Sequence, residues 1–412
     1  MTPSGFGLDN LPYGVFSGPG LADAPRVGVR LGDSVIDLAA ALGDDVFAAP
    51  ALNPFMAQGP ERWAEVRSRL TDLLSAAGGV PDAAVHPLAA VTPHLPFAVA
   101  DYVDFYASEH HAANLGRLFR PGAPPLLPNW KHLPVGYHGR AGTVVVSGTD
   151  IVRPRGQRRG SDSGPASGSP SGPASGSPSG PVFGPSTRLD IEAELGFVVG
   201  AGSSLGSPVP IDAFESHVFG AVLVNDWSAR DIQSWEYVPL GPHLGKSFAT
   251  SVSPWVVPLA ALAAARVPLP PQDPAPLPYL RASSAWGRSG LDIDLAVAWN
   301  GEVVSRPPYR SMYWSPAQML AHMTVNGAAL RTGDLYASGT ISGPERAQRG
   351  AFIELTWGGA EPVLVNGERR TFLEDGDEVV ITATAPGLSG GRISFGEVRG
   401  TIRPAPAPAP AP

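Results

Sequence analysis

The chain has 412 residues, a 43% hydrophobic fraction, a 16% charged fraction and a formal charge of −8. That length suggests two domains with room for a large core, and the acidic balance without a basic run excludes a nucleic-acid surface. It contains no cysteine, which removes disulfides, thiol nucleophiles and cysteine-ligated zinc or iron–sulfur centres. The 49 glycines and 46 prolines favour short strands and turns over long helices. No basic segment followed by an apolar one opens the chain, so no signal peptide is expected. No apolar run approaches the roughly 18 residues of a membrane span. The expectation is a cytoplasmic protein with no membrane or nucleic-acid partner.

Residues 1–24 form a lead-in held by Phe6, Leu8, Leu11, Tyr13 and Phe16. RVGVRLGDSVIDL predicts two strands around the turn Gly32-Asp33. Residues 60–74 carry Trp63, Val66, Leu70, Leu73 and Leu74 at helical spacing, a core-facing stripe. HPLAAVTPHLP, residues 86–96, reads as a linker. Nothing before it suggests chemistry.

The chemistry begins in DYVDFYASEHHAANLGRLFR, residues 101–120. Asp104 and Tyr106 precede a helix on which His111, Asn114, Leu115 and Leu118 share one face. In LPVGYHGR, Tyr137 falls in a turn before the strand TVVVSG. Residues 163–178 are two tandem copies of SGPASGSP; the segment 163–181 has no apolar side chain large enough for a core and reads as a flexible loop between two strands.

RLDIEAELGFVVG predicts a strand with Asp190, Glu192 and Glu194 on one face. Two like charges at i and i+2 need a cation or a proton if that face is buried. The next motif, VNDWSARDIQSWEYVPLGPHLGKSFATSVSP (residues 224–254), starts as a strand ending at Asp226. Ser228 is its expected helix N-cap, with Arg230, Gln233 and Tyr237 on one helical face. A Gly/Pro loop then delivers Lys246 and Thr250. Asp104, Glu192, Glu194 and Asp226 make four carboxylates with no soft ligand, a set suited to Mg²⁺ or Ca²⁺.

Residues 259–277, rich in Ala and Pro, read as a surface excursion. A hairpin is expected to turn at Asn300-Gly301, and Ser315-Pro316 to cap a helix. Thr340 lies in a Gly-rich turn, and Glu354 in FIELTW falls on an expected strand. EDGDEVVITA and ISFGEVRGTIRP close a sheet, and the Ala/Pro tail is extended. From the residues alone, this is an acidic cation site with nearby donors and a possible base.

The runs DFYASEHH, LPVGYHGR, NDWSARDIQ, WEYVPLGP and LGKSF resemble the fumarylacetoacetase family, carbon–carbon bond hydrolases of tyrosine and phenylalanine breakdown. The likeness extends from about Phe6 to Arg403, apart from residues 163–181 and weaker stretches. It implies a mainly β fold with some α: an SH3-like barrel domain over residues 1–95, a larger mixed β-roll over 96–403, and an unfolded tail over 404–412. It implies metal ligation by Asp104, Glu192, Glu194 and Asp226, with Lys246 and Thr250 behind them. His111 would be the general base, paired with Glu354. Arg230, Gln233 and Lys246 would stabilise an oxyanion, and Tyr106, Arg120, Tyr137, Gln233, Tyr237 and Thr340 would hold a diketo-acid substrate. A homodimer is also implied. The rival readings are another oxo-acid hydrolase, hydratase or decarboxylase of the same superfamily, and a metal-stabilised binding protein without catalysis.

Overall fold

The computed structural model describes residues 5–18, 24–75, 79–160 and 180–407. Short strands dominate, with helices Pro60–Ser75, Glu109–Phe119 and Pro316–Thr324 as the longest, as a Gly- and Pro-rich chain dictates. No helix among the described residues is long and apolar enough to cross a membrane.

The N-terminal part forms a five-stranded antiparallel sheet in the order Val85–Pro87, Ser34–Asp37, Arg26–Leu31, Tyr13–Ser17, Thr92–His94. The turn at Gly32-Asp33 and the helix starting at Pro60 form where the sequence pattern places them. Two expectations change. The lead-in contains the strand Tyr13–Ser17, and the expected linker contains Thr92–His94, paired with that strand. Their backbone groups are consumed by sheet pairing.

The central sheet runs Gly136–His138, Tyr102–Phe105, Leu335–Ala337, Ala193–Val199, Val218–Asp226, Thr250–Val252, Val144–Val146. Its longest strand, Val218–Asp226, is buried along its whole length. Strand alternation divides its side chains. Ala221 and Leu223 join the larger core, whereas Val222 and Val224 join a second cluster with Tyr13, Phe55 and Leu70 of the N-terminal part; Phe219 joins that cluster too, because the register slips there by one residue. Both faces are therefore covered, which explains the near-continuous apolar run leading to Asn225. Gly196 on the neighbouring strand is needed because a Cβ there would come within 2.8 Å of Leu335 and Val224.

A third sheet, Glu302–Ser305, Asp294–Trp299, Glu378–Pro386, Arg392–Arg403, Ile151–Val152, supports the larger core. Its first hairpin turns at Asn300 (φ 50°) and Gly301 (φ 83°), the left-handed pair that a two-residue turn requires. Ser315 and Gln318 form a reciprocal capping box on Pro316–Thr324. Residues 259–265 correct the expected surface excursion. They form a 3₁₀ segment whose Leu259, Ala261, Leu262 and Ala265 are buried. The repeat segment lies, apart from its last two residues, outside the described residues, but the strands flanking it, Arg155–Arg158 and Val182–Pro185, pair antiparallel. Residues 404–407 carry no regular structure, and the rest of the tail lies outside the described residues.

Candidate active site

The register of the central sheet carries acidic residues from separate strands to one edge. Asp104 pairs across to Tyr137 on one side and Ala337 on the other. Glu194 lies opposite Val224, the Asp226 N–H donates to the Glu192 carbonyl at 3.1 Å, and Asp226 lies opposite Thr250. One oxygen from each of Asp104, Glu192, Glu194 and Asp226 falls within 4.8 Å of all the others, and all four residues are buried.

Two of these carboxylates are held by protein cations. Lys246 Nζ donates to Glu192 and, at 2.7 Å, to Asp226 Oδ2, while Arg230 Nη1 reaches Glu192 Oε1 at 2.8 Å. Thr250 Oγ1 adds a 3.0 Å bond to Asp226 Oδ1. The other two are not satisfied by protein donors. Asp104 Oδ1 and Glu194 Oε1 are buried without a hydrogen-bond partner. Their second oxygens accept from Tyr137 OH (2.8 Å) and the Gly339 N–H (3.0 Å). Unpaired buried carboxylate oxygens facing one point are what a hard divalent cation satisfies, so these residues fit such an ion.

The electrostatics follow the contacts. Burial, then Asp226, pushes Asp104 well above its ordinary value; burial, then Asp104 and Glu192, does the same to Glu194. Burial also raises Asp226, opposed by Lys246. Burial acts upward on Glu192, yet Lys246, Arg230 and His111 together hold it below the usual carboxylate range.

The possible base is built from distant segments. Ser108 caps the helix Glu109–Phe119, and that helix buries His111 and Asn114. His111 Nδ1 donates to Glu354 Oε2 at 2.6 Å; Asn114 Nδ2 and Ser342 Oγ each donate to Glu354 at 2.9 Å. Burial acts to raise Glu354, but His111 and these bonds hold it below its ordinary value. An ionised carboxylate only accepts, so Nδ1 is the donor of this pair and Nε2 is the ring nitrogen left for other partners. Nε2 lies 3.9 Å from Glu192 Oε1, beside the carboxylate cluster. The ring stands edge-on to Tyr106 at 5.2 Å.

Three local expectations are corrected here. Glu354 is on a short helix, Phe352–Leu355, not a strand; every residue of that helix is buried. Asp190 accepts from the Phe352 and Ile353 N–H groups at 2.7 and 3.1 Å and fixes its start. Ser228 is not an N-cap. It pairs in a two-residue strand with Asp190, and the helix Arg230–Glu236 begins after Ala229 without a side-chain cap. Tyr137 is on the strand Gly136–His138 rather than in a turn. In addition, the expected single strand 188–200 breaks at Ile191-Glu192, which frees Glu192 to turn toward Arg230 and Lys246.

The remaining expected residues divide into two groups. Arg230 is buried, bonded through Nε to Asp190 Oδ2 (2.8 Å) and through Nη1 to Gln233 Oε1 (3.1 Å), and its Nη2 is left without a partner. Thr340 is 1% exposed with its hydroxyl unpartnered. Both are polar groups that the fold leaves unpaired. Arg120 Nη2 instead donates to the Pro125 carbonyl at 3.0 Å, and Tyr237 ends its helix half-buried, its N–H bonded to the Gln233 carbonyl. Neither makes a hydrogen bond to the carboxylate cluster. The sequence reading missed Asn114, Ser342 and Asp190 as contributors. Asn114 at i+3 from His111 was on the correct face, and Asp190 was grouped with Glu192 and Glu194 by alternation; nothing local marked Ser342.

The fold and this site define a mainly β chain in which four buried carboxylates suited to a hard cation stand beside a buried imidazole–carboxylate pair. Two family descriptions match it: "Fumarylacetoacetase N-terminal" over residues 9–96 and "Fumarylacetoacetate (FAA) hydrolase C-terminal" over residues 101–403. The chain belongs to the fumarylacetoacetase family. It is 47% identical over 426 aligned residues to the fumarylacetoacetase of Homo sapiens, covering 98% of this chain and 97% of that one. It is 44% identical to that of Arabidopsis thaliana at the same coverage of both chains. Among solved structures, a fumarylacetoacetate hydrolase from Exiguobacterium antarcticum aligns with a TM-score of 0.55 at 15% identity, covering 96% of this chain and 99% of that one. A maleylpyruvate hydrolase from Sphingobium aligns at 0.54 and 16%, covering 96% and 100%. These two likenesses show the fold.

Proposed function

We propose that the chain hydrolyses the carbon–carbon bond of 4-fumarylacetoacetate, giving fumarate and acetoacetate, the last step of tyrosine and phenylalanine breakdown. Fumarylacetoacetases 42–48% identical to the chain over nearly all of its length support this reading. The observation that carries it in the molecule is the His111–Glu354 pair, 2.6 Å apart, with Nε2 open toward the carboxylate cluster.

His111 Nε2 takes the proton of an attacking water. Glu354 fixes the tautomer and stabilises the imidazolium, work typically contributing about 10²–10⁴ in rate. Arg230, through its free Nη2, and the Gln233 amide face the oxyanion as fixed donors; Lys246 holds Glu192 and Asp226 in place and adds positive charge. Asp104, Glu192, Glu194 and Asp226, with Lys246 and Thr250 behind them, would hold a cation, which when bound would supply Lewis-acid stabilisation of negative charge on the diketone oxygens. Mg²⁺ or Ca²⁺ fits an all-oxygen site. Tyr106, Arg120, Tyr137, Gln233, Tyr237 and Thr340 orient the dicarboxylate, with side-chain rotation bringing Arg120 and Tyr237 to it.

The same reading divides the chain into an SH3-like barrel domain (residues 1–95), a catalytic β-roll (96–403) and an Ala/Pro tail (404–412). It makes the protein a cytoplasmic homodimer. The test is the loss of the substrate's ultraviolet absorbance with the full chain. Turnover by the wild type that disappears in His111→Ala is expected; equal rates from the two would overturn the assignment.

A further inference from the structure

The geometry assigns Tyr102 and Arg140 to a subsite for the substrate carboxylate remote from His111. This rests on the hydrolase reading above and specifies how that site selects a dicarboxylate. A cleft of about 360 Å³ opens on the carboxylate cluster, lined among others by Tyr102, Tyr137, His138, Arg140, His243 and Lys246. His111, Tyr106 and Arg120 are not in its lining, so it reaches the cluster from a side the base does not occupy.

Away from the carboxylate cluster itself, the lining carries more donors than acids. Asp226 is the one acid among the lining residues, and Lys246 already bonds to it at 2.7 Å. Arg140 is exposed and brings a permanent guanidinium charge, and the imidazoles of His138 and His243 add ring nitrogens. A planar guanidinium fork matches a carboxylate in two parallel bonds.

Tyr102 supplies an independent observation. It is 2% exposed, and its hydroxyl is buried with no hydrogen-bond partner. A buried donor left unmade costs about 1–3 kcal/mol unless a ligand completes it. The ring is fixed there by the motif that also carries Tyr137. The Gly139 N–H donates to the Tyr102 carbonyl at 2.8 Å, and a Cβ on Gly139 would come within 2.3 Å of the Tyr102 ring. The glycine of Gly-Tyr-His-Gly thus leaves room for a phenol that the fold itself does not satisfy. Tyr102, whose phenol is unpartnered, and Arg140, whose guanidinium is exposed, line the same cleft, and each is a donor suited to a carboxylate.

The experiment uses the Mg²⁺-loaded full chain and the variants Tyr102→Phe and Arg140→Gln. Fumarate and acetoacetate binding is measured by calorimetry, and KM and kcat by absorbance with the dicarboxylate and its two monomethyl esters. Each variant should weaken one of the two products, the same one in both, by about tenfold, the size of one charge-assisted hydrogen bond. KM for the dicarboxylate should rise by the same factor with kcat held. The monoester blocked at that end should bind wild type and variants alike. Tyr102→Phe should melt no lower than the ligand-free wild type, because it removes a buried hydroxyl that has no partner. Unchanged KM and unchanged binding of both products in both variants would overturn the subsite. A lowered melting temperature in Tyr102→Phe with unchanged KM would make Tyr102 purely structural and overturn it too. If the wild type binds fumarate or acetoacetate but cleaves nothing, the hydrolase reading falls while the calorimetry still decides the subsite.

Discussion

The two halves of the site are satisfied in opposite ways. Around Glu354 both carboxylate oxygens accept from protein donors, from His111, Asn114 and Ser342. A few ångströms away, Asp104 Oδ1 and Glu194 Oε1 are equally buried and accept from nothing. The first arrangement is complete as folded. The second is completed only by a cation or by protons, because like charges at this distance raise one another's pKa and burial adds to it. Preorganised acid–base chemistry and metal-dependent chemistry can therefore be separated in this protein by perturbing one carboxylate environment at a time.

The largest expected effect comes from the base. His111→Ala should lower turnover by about 10²–10⁴ while the affinity for Mg²⁺, measured calorimetrically, stays within a few-fold of wild type. A large parallel loss of metal affinity would erase the division between the halves. Glu354→Gln keeps the shape but loses the charge that fixes the tautomer, and should cost about 10²-fold in kcat. On the other side, Asp104→Asn should weaken Mg²⁺ or Ca²⁺ binding by on the order of 10²-fold. Chelation of the wild type should lower its melting temperature, since an ion present at 100 times its Kd contributes about 2.7 kcal/mol to the folded state.

The contrast also fixes two opposite pH slopes in metal-free protein. Glu354 has a depressed folded-state pKa, so its contribution to stability is present above its unfolded-state value and is lost as pH falls through the folded one. Asp104 and Glu194 have raised folded-state values. Their contribution is present below the unfolded-state value and is lost as pH rises through the folded one. Denaturant titration should therefore show Glu354→Gln narrowing the wild-type advantage in acid. Asp104→Asn should stabilise metal-free protein near neutrality. The same sign for both variants at neutral pH would contradict the difference described here.

The sequence disclosed the members of the site better than their surroundings. Period-two alternation put Glu192 and Glu194 together, and helical spacing put His111 beside Asn114. The fold could be read where turn chemistry is local, as at Asn300-Gly301 and Ser315-Pro316. It could not be read where a tertiary partner decides. Four residues of FIEL become a helix because Asp190, 162 residues earlier, accepts the N–H of Phe352. Residues 259–265 are Ala-rich, yet Leu259, Ala261, Leu262 and Ala265 are buried because they pack into the larger core. The strand break at Ile191-Glu192 has no local signal, since the groups Glu192 meets there, Arg230 and Lys246, are distant in sequence.

The smallest expected effect is at the periphery. Deleting residues 163–178 removes two copies of a Gly/Ser/Pro/Ala unit and leaves the paired strands Arg155–Arg158 and Val182–Pro185 joined by a shorter connection. Loop-closure entropy varies slowly with length, so stability should change by no more than about 1 kcal/mol in a denaturant titration, with kcat unchanged. A larger loss would show that the repeat contributes to the site or its support.

The central claim is that the four carboxylates need one hard cation for chemistry that His111 initiates. The most direct measurement follows 4-fumarylacetoacetate absorbance with metal-stripped full chain as Mg²⁺ or Ca²⁺ is added back. Activity should be absent in the stripped protein and should recover in proportion to the ion bound, saturating at one per chain. Full turnover by the stripped protein would contradict it.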